Sequence, residues 1–166
     1  MAGSRVWVTV VVVAGLIGAG SLLAPRVGAT TALTAQDVSD ITQLYSTSYQ
    51  GADLRDADLW LSAYADDAVF NLPTGSQVVG RKALAEWRMK SFGGKTGDTK
   101  QRHWFGLIRV LPAPNGATAK AYFSVIDVGA KQPTIRSTGT VDDRFVKTAA
   151  GWKFKVHTVI FDVPND

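Results

Sequence analysis

Apolar side chains recur at three- and four-residue steps from Val38 through Ile41, Tyr45 and Ser48 or Tyr49 to Ala52, the spacing that lines one face of an α-helix. Thr34-Ala35-Gln36-Asp37, just ahead of them, has the form of a capping box. The pattern predicts an amphipathic helix that begins after Thr34 and ends near Gly51. A second, shorter helix is predicted across 54–64, where Ala57, Trp60, Leu61 and Tyr64 share a face. Asp66-Asp67 reads as its terminator and Ala68 to Leu72 as a strand. Pro73-Thr74-Gly75-Ser76 reads as a turn, and Leu84, Trp87 and Ser91 or Phe92 mark a third helix after Gly80.

From Lys100 onward the period changes to two. Four strands are predicted at about 100–111, 117–128, 134–147 and 152–162, broken by Pro114-Asn115-Gly116, Gly129-Ala130-Lys131-Gln132-Pro133 and Ala149-Ala150-Gly151. Helices first and an antiparallel meander afterwards define an α+β domain over residues 30–166, with three N-terminal helices packed on one face of a curved sheet.

The first 29 residues stand apart. After Arg5, Val6 to Ala24 is an uncharged apolar run of 19 residues, and Val27-Gly28-Ala29 supplies small residues at signal-peptidase spacing. The expectation is a signal peptide cleaved after Ala29 and a secreted or cell-envelope protein. An uncleaved anchor is the rival, since about 20 residues span a bilayer, and only that rival places the protein on a membrane.

Composition trims the remaining classes. The chain has no cysteine, which excludes disulfide staples and thiolate metal sites. Losing residues 1–29 removes two arginines and leaves 16 basic against 14 acidic side chains. With no dense basic run, a nucleic-acid partner is not expected. Neither Asp66-Asp67 nor Asp142-Asp143 brings the further ligands that a metal would need, so no metal is expected. Gly93-Gly94-Lys95-Thr96-Gly97 lacks the phosphate-loop spacing.

Two histidines are available for proton chemistry. His157 shares strand phase with Lys153 and Lys155 unless a bulge intervenes, so it reads as structural or surface-facing. His103 shares its phase with Phe105 and Leu107, with Arg109 at the far end of the row. An imidazole facing an apolar hollow can hold or release a proton near neutral pH; the alternative is an interior histidine bonded to backbone. Tyr45, Tyr49 and Asp53 lie at successive four-residue steps. Asp53 either meets an imidazole or caps the second helix at Leu54. Trp60, Tyr64, Trp87, Trp104, Phe105 and Phe123 could line an apolar cavity or fill an ordinary core.

Several segments in fixed order carry a resemblance. Asp53-Leu54-Arg55-Asp56-Ala57-Asp58, Tyr64-Ala65-Asp66-Asp67-Ala68-Val69-Phe70, Gly80-Arg81-Lys82-Ala83-Leu84, Arg102-His103 and Gly151-Trp152-Lys153-Phe154 together resemble the SnoaL-like branch of the nuclear transport factor 2-like superfamily, the group that includes scytalone dehydratase and polyketide cyclases. The resemblance covers about 34–162. It implies a cone of bent sheet closed by three helices around a pocket, often in a homodimer.

The resemblance also implies roles. In SnoaL-like dehydratases a helix tyrosine, an aspartate and a strand histidine converge in the pocket; the matching positions here are Asp53, His103 and either Tyr49 or Tyr45. The implied chemistry is a cofactor-free acid–base lyase or isomerase for a small hydrophobic carbonyl or hydroxyl compound, with Tyr45, Trp60, Tyr64, Phe105 and Phe123 against the substrate. Leu72 stands where an isomerase-like relative carries its base, which disfavours that mechanism. Leu107 stands where a polar partner of the histidine is common. The alternative is a non-catalytic ligand-binding or assembly module on the same fold.

Overall fold

A computed structural model of the chain describes residues 31–163; the proposed leader and its cleavage point lie outside them. Helix α1 spans Ala35–Asp53. Thr34 is its N-cap, with the Thr34 and Asp37 side chains exchanging hydrogen bonds with each other's backbone N–H, a device worth about 1 kcal/mol. Asp37 does more than cap. Its Oδ1 accepts from Lys147 Nζ at 2.7 Å and Trp152 Nε1 at 2.8 Å, pinning the start of α1 to the far end of the sheet.

The helix runs two residues past Gly51, so the expected end was early. Gly51 is needed for proximity, because a Cβ there would lie 2.5 Å from the backbone nitrogen of Trp60. That close approach seats α2, Ala57–Ser62, against the end of α1. Strand β1, Tyr64–Asn71, starts four residues before the expected strand. Asp66 and Asp67 therefore lie inside β1 rather than ending a helix. Both face solvent because the pairing with β6 slips between Tyr64 and Val69. After the turn at Pro73, the three-residue strand β2, Gln77–Val79, returns along β1; the sequence pattern missed it because so short an edge strand has no period to read. Helix α3 spans Arg81–Phe92 and stops at Gly93 in the left-handed region, φ 59°.

Strands β3 (Gln101–Ala113), β4 (Gly116–Asp127), β5 (Thr134–Thr148) and β6 (Gly151–Phe161) form the expected antiparallel meander. The sheet order is β2-β1-β6-β5-β4-β3. It is antiparallel except where β1 lies parallel to β6, and it is curved and unclosed. The helices cover its inner face. Between them lie Ile41, Tyr45, Trp60, Tyr64, Leu84, Val141 and Phe154, all buried, each large side chain contributing about 1.5–3 kcal/mol of apolar burial. Among the described residues no helix is long and apolar enough to cross a membrane.

The Lys147 ammonium first, then Thr34 and the Trp152 indole, hold the Asp37 carboxyl far below its ordinary value of 3.8. A depressed folded-state pKa contributes stability above the unfolded value and loses it as pH falls. Asp37→Asn is therefore expected to lower Tm at neutral pH, and the gap from wild type to narrow progressively below pH 3.8, read by thermal melts across an acid pH series.

Candidate functional site

Asp53 is the last residue of α1, where the helix no longer supplies its carbonyl with a partner; Thr99 N–H donates to that carbonyl at 2.8 Å and draws the start of β3 alongside. The Asp53 carboxylate then receives two donors from one residue. The His103 backbone N–H reaches Oδ2 at 2.9 Å and the ring Nδ1 lies 2.6 Å from Oδ1. A carboxylate only accepts, so Nδ1 carries a proton, and in the neutral ring Nε2 keeps its lone pair. Asp53 is buried while the His103 side chain keeps 21% exposure. The capping alternative for Asp53 is corrected here: Asp56 caps α2, its Oδ1 accepting from Leu59 N–H at 2.8 Å.

A second pair lies deeper. His157 and Asp143 are both fully buried, with Nδ1 2.7 Å from Asp143 Oδ1. Tyr45 Oη donates to Asp143 Oδ2 at 2.5 Å and Thr158 N–H to Oδ1 at 3.2 Å. By the same logic the neutral ring's Nε2 is an acceptor for the Tyr49 hydroxyl, 2.7 Å away. The surface reading of His157 is thereby corrected. Lys155 is an extra residue in β6, since Phe145 pairs with Phe154 while its neighbour Arg144 pairs with Val156. One inserted residue inverts side-chain phase, so His157 joins Trp152 and Phe154 on the inner face.

Tyr49 is half-buried between the two pairs. Its ring lies 4.9 Å from that of His103 and 4.3 Å from that of Phe105. Burial, and behind it the charges at Tyr64 and Asp143, push its hydroxyl well above the ordinary phenol value, with Arg88 opposing. The hydroxyl thus stays protonated and acts as a donor rather than a base.

The other expected residues fall into the wall behind these groups. Tyr45 is buried with its hydroxyl bonded to Asp143, whereas Tyr49 is half-buried with its hydroxyl bonded to His157. Trp60, Tyr64 and Phe123 are buried; Tyr64 shares a 3.1 Å hydrogen bond with Ser48 Oγ, and Phe123 stacks on half-buried Phe105. Trp104, offered above as a cavity residue, is 71% exposed on the outer face. Leu107 also leaves the His103 row: pairing with β4 slips between Gly106 and Arg109, and Leu107 is 80% exposed at φ +51°. Arg102 turns outward to a two-pronged ion pair with Asp98.

Three site residues escaped the sequence reading. Asp143 had a signal, because it alternates with Val141 and Phe145 and so shares their inward phase. Arg88 had one too, lying four residues from Leu84 and four from Phe92 on the apolar side of α3. His157 had none, because a bulge leaves no mark in the pattern. Among the described residues no three His, Asp or Glu side chains converge as metal ligands.

A curved sheet closed by three helices, with paired acids and imidazoles on its inner side, defines the architectural class. Residues 33–158 match the SnoaL-like domain, and the chain belongs to that family. No curated protein sequence matches the chain. Similar solved structures include a protein of unknown function with a cystatin-like fold from Nostoc punctiforme, at TM-score 0.69 and 19% identity over 80% of this chain and 96% of that one. ActVI-ORFA from Streptomyces coelicolor superposes at TM-score 0.66 and 21% identity, covering 75% and 97%. An NTF2-like protein with a cystatin-like fold from Novosphingobium aromaticivorans does so at 0.66 and 18%, covering 78% and 84%. At these identities the likeness establishes the fold.

Asp143→Ala strips the acceptor from Tyr45, His157 and Thr158 at once. Losing one partner of a buried pair costs about 3–5 kcal/mol. The urea midpoint is expected to fall accordingly, with Asp143→Asn recovering part of the loss because the amide oxygen still accepts.

Proposed function

We propose that the protein is an exported, cofactor-independent acid–base lyase or isomerase acting on a small, largely apolar carbonyl or hydroxyl compound. The observation that carries this reading is the Asp53–His103 clasp, which orients the ring through two bonds, 2.9 and 2.6 Å long, and leaves Nε2 for a ligand. In this reading His103 Nε2 takes a proton from carbon next to a carbonyl. The Asp53 carboxylate holds the imidazolium that forms. The Tyr49 hydroxyl, turned from His157 to the ligand, donates to the oxygen that gains charge. Where a hydroxyl leaves the adjacent carbon, the imidazolium returns its proton and water departs. His157, held by Asp143, keeps the tyrosine in place between turnovers. The phenol and imidazole chemistry suits proton transfer at carbon, and the family's fold accommodates it without fixing the reaction.

Native mass spectrometry of the exported protein tests the first part: it is expected to show a chain beginning at Thr30 and to reveal a co-purifying small molecule. With that compound as substrate, His103→Ala and Asp53→Asn are each expected to lower kcat/KM by about 10²–10⁴-fold. Turnover unchanged in both variants would overturn the reading.

The outer face of the sheet supports a second proposal, that two copies of this chain pair through it. Leu107, Tyr122 and Ile160 are exposed side by side around a groove of about 390 Å³, bordered by Arg109, Lys120 and Asp142. A leucine held at positive φ is costly and persists only where its surroundings over-determine it; displaying it on this face satisfies that condition if a partner covers it. Leu107→Glu is expected to convert a dimer to monomer in size-exclusion chromatography with light scattering. A wild-type monomer at all concentrations would refute the pairing.

A further inference from the structure

We propose that Arg88 is an anion receptor at this site, and that the natural ligand carries a carboxylate on an aromatic or alicyclic skeleton. The inference deepens the proposed function by naming its substrate class, and it rests on that reading only for the ligand being turned over.

Helical spacing delivers a cation to an apolar face. Leu84 and Phe92, one turn before and one turn after Arg88, are buried, so Arg88 follows them inward. Its guanidinium lies 4.2 Å over the Trp60 ring, 4.7 Å over Trp87 and 5.5 Å from Phe92. Cation–π contacts of this kind offset part of the cost of desolvation. They satisfy the face of the guanidinium and none of its donors, which point outward in the guanidinium plane. Nε is buried and has no hydrogen-bond partner. Burial lowers the group to about 10, and the groups that interact with its charge are Tyr64 and Tyr49 rather than an acid. Arg88 therefore stays charged at neutral pH without a counter-ion. A buried donor without an acceptor is destabilising, and such groups call for an explanation.

The position of the charge supplies that explanation. Trp60 stacks on Tyr64 at 4.3 Å, Trp87 lies 5.0 Å from Phe70, and Phe70 lies 5.0 Å from the His157 ring. The guanidinium and the Tyr49–His157 pair thus share one aromatic wall. Trp60, Tyr64, Phe70 and His157 are themselves buried, so the edges open to a ligand are those of half-buried Tyr49, Trp87 and Arg88; a flat ring placed against these could reach both polar groups with its substituents. A carboxylate accepts two parallel N–H bonds from a guanidinium, which a neutral carbonyl cannot match. An uncharged ligand would cover the half-buried cation and leave it uncompensated.

The test is a ligand-observed NMR titration of the whole chain with benzoate and with its uncharged isostere benzamide, at constant ionic strength. Wild type is expected to bind benzoate at least about ten-fold more tightly than benzamide. Arg88→Met should abolish that preference while leaving benzamide affinity within about two-fold. Arg88→Lys keeps the charge and loses the fork, so it should give an intermediate affinity; it also serves as the decisive variant if Arg88→Met fails to fold. Equal affinities for the two probes, no saturable benzoate binding up to about 20 mM, or variants that bind benzoate as wild type does would overturn the proposal. Benzoate binding is read on the wild-type and Arg88 variants without turnover, so failure of the catalytic reading and failure of anion binding give different results.

Discussion

A buried carboxylate must be given donors, and the interior of this protein is arranged around meeting that demand twice. Asp143, fully buried, takes bonds from Tyr45, His157 and Thr158; Asp53 takes two from His103. Each set joins α1 or its end to a strand that is distant in sequence. The helix is thereby held on the sheet by directional bonds as well as by apolar contact, and half-buried Tyr49 is placed between the two imidazoles.

The bulges make this possible. An unbroken six-stranded sheet would keep lysines and histidine on one side of β6, and Leu107 beside His103. An inserted residue at Lys155 and a slip after Gly106 reverse both. The first bulge faces the irregular stretch of β1 at Asp66 and Asp67, where Lys155 reaches the Asp67 carboxylate. An imidazole that a regular ladder would have directed outward is thus carried in, while Asp66 and Asp67 stay in solvent. The same irregularities bend the sheet around the helices, so curvature and site placement have one cause.

Arg88 belongs to a different balance. Its aromatic neighbours offset the cost of hiding a cation without supplying an acceptor, so the charge remains available. Arg88 and the His157–Tyr49 pair are joined through one run of aromatic contacts, which gives the interior two kinds of polar edge: imidazole and phenol on one side, a guanidinium on the other.

The capping box at Thr34, the stripe that ends in Asp53, the period-two strands from β3 to β6 and the inward alternation of Val141, Asp143 and Phe145 are written locally, because helix and strand periods are properties of neighbouring residues. From them the α+β order, the helical face and the meeting of Asp53 with His103 could be anticipated. The tertiary structure alone decided that His157 turns inward, that Leu107 turns outward, that β1 runs parallel to β6 and that Tyr45 is consumed by Asp143. Each of these depends on how one strand registers against another, and a register is set by pairing across the sheet, where the decisive residue, such as Lys155, differs in no visible way from its neighbours in the chain.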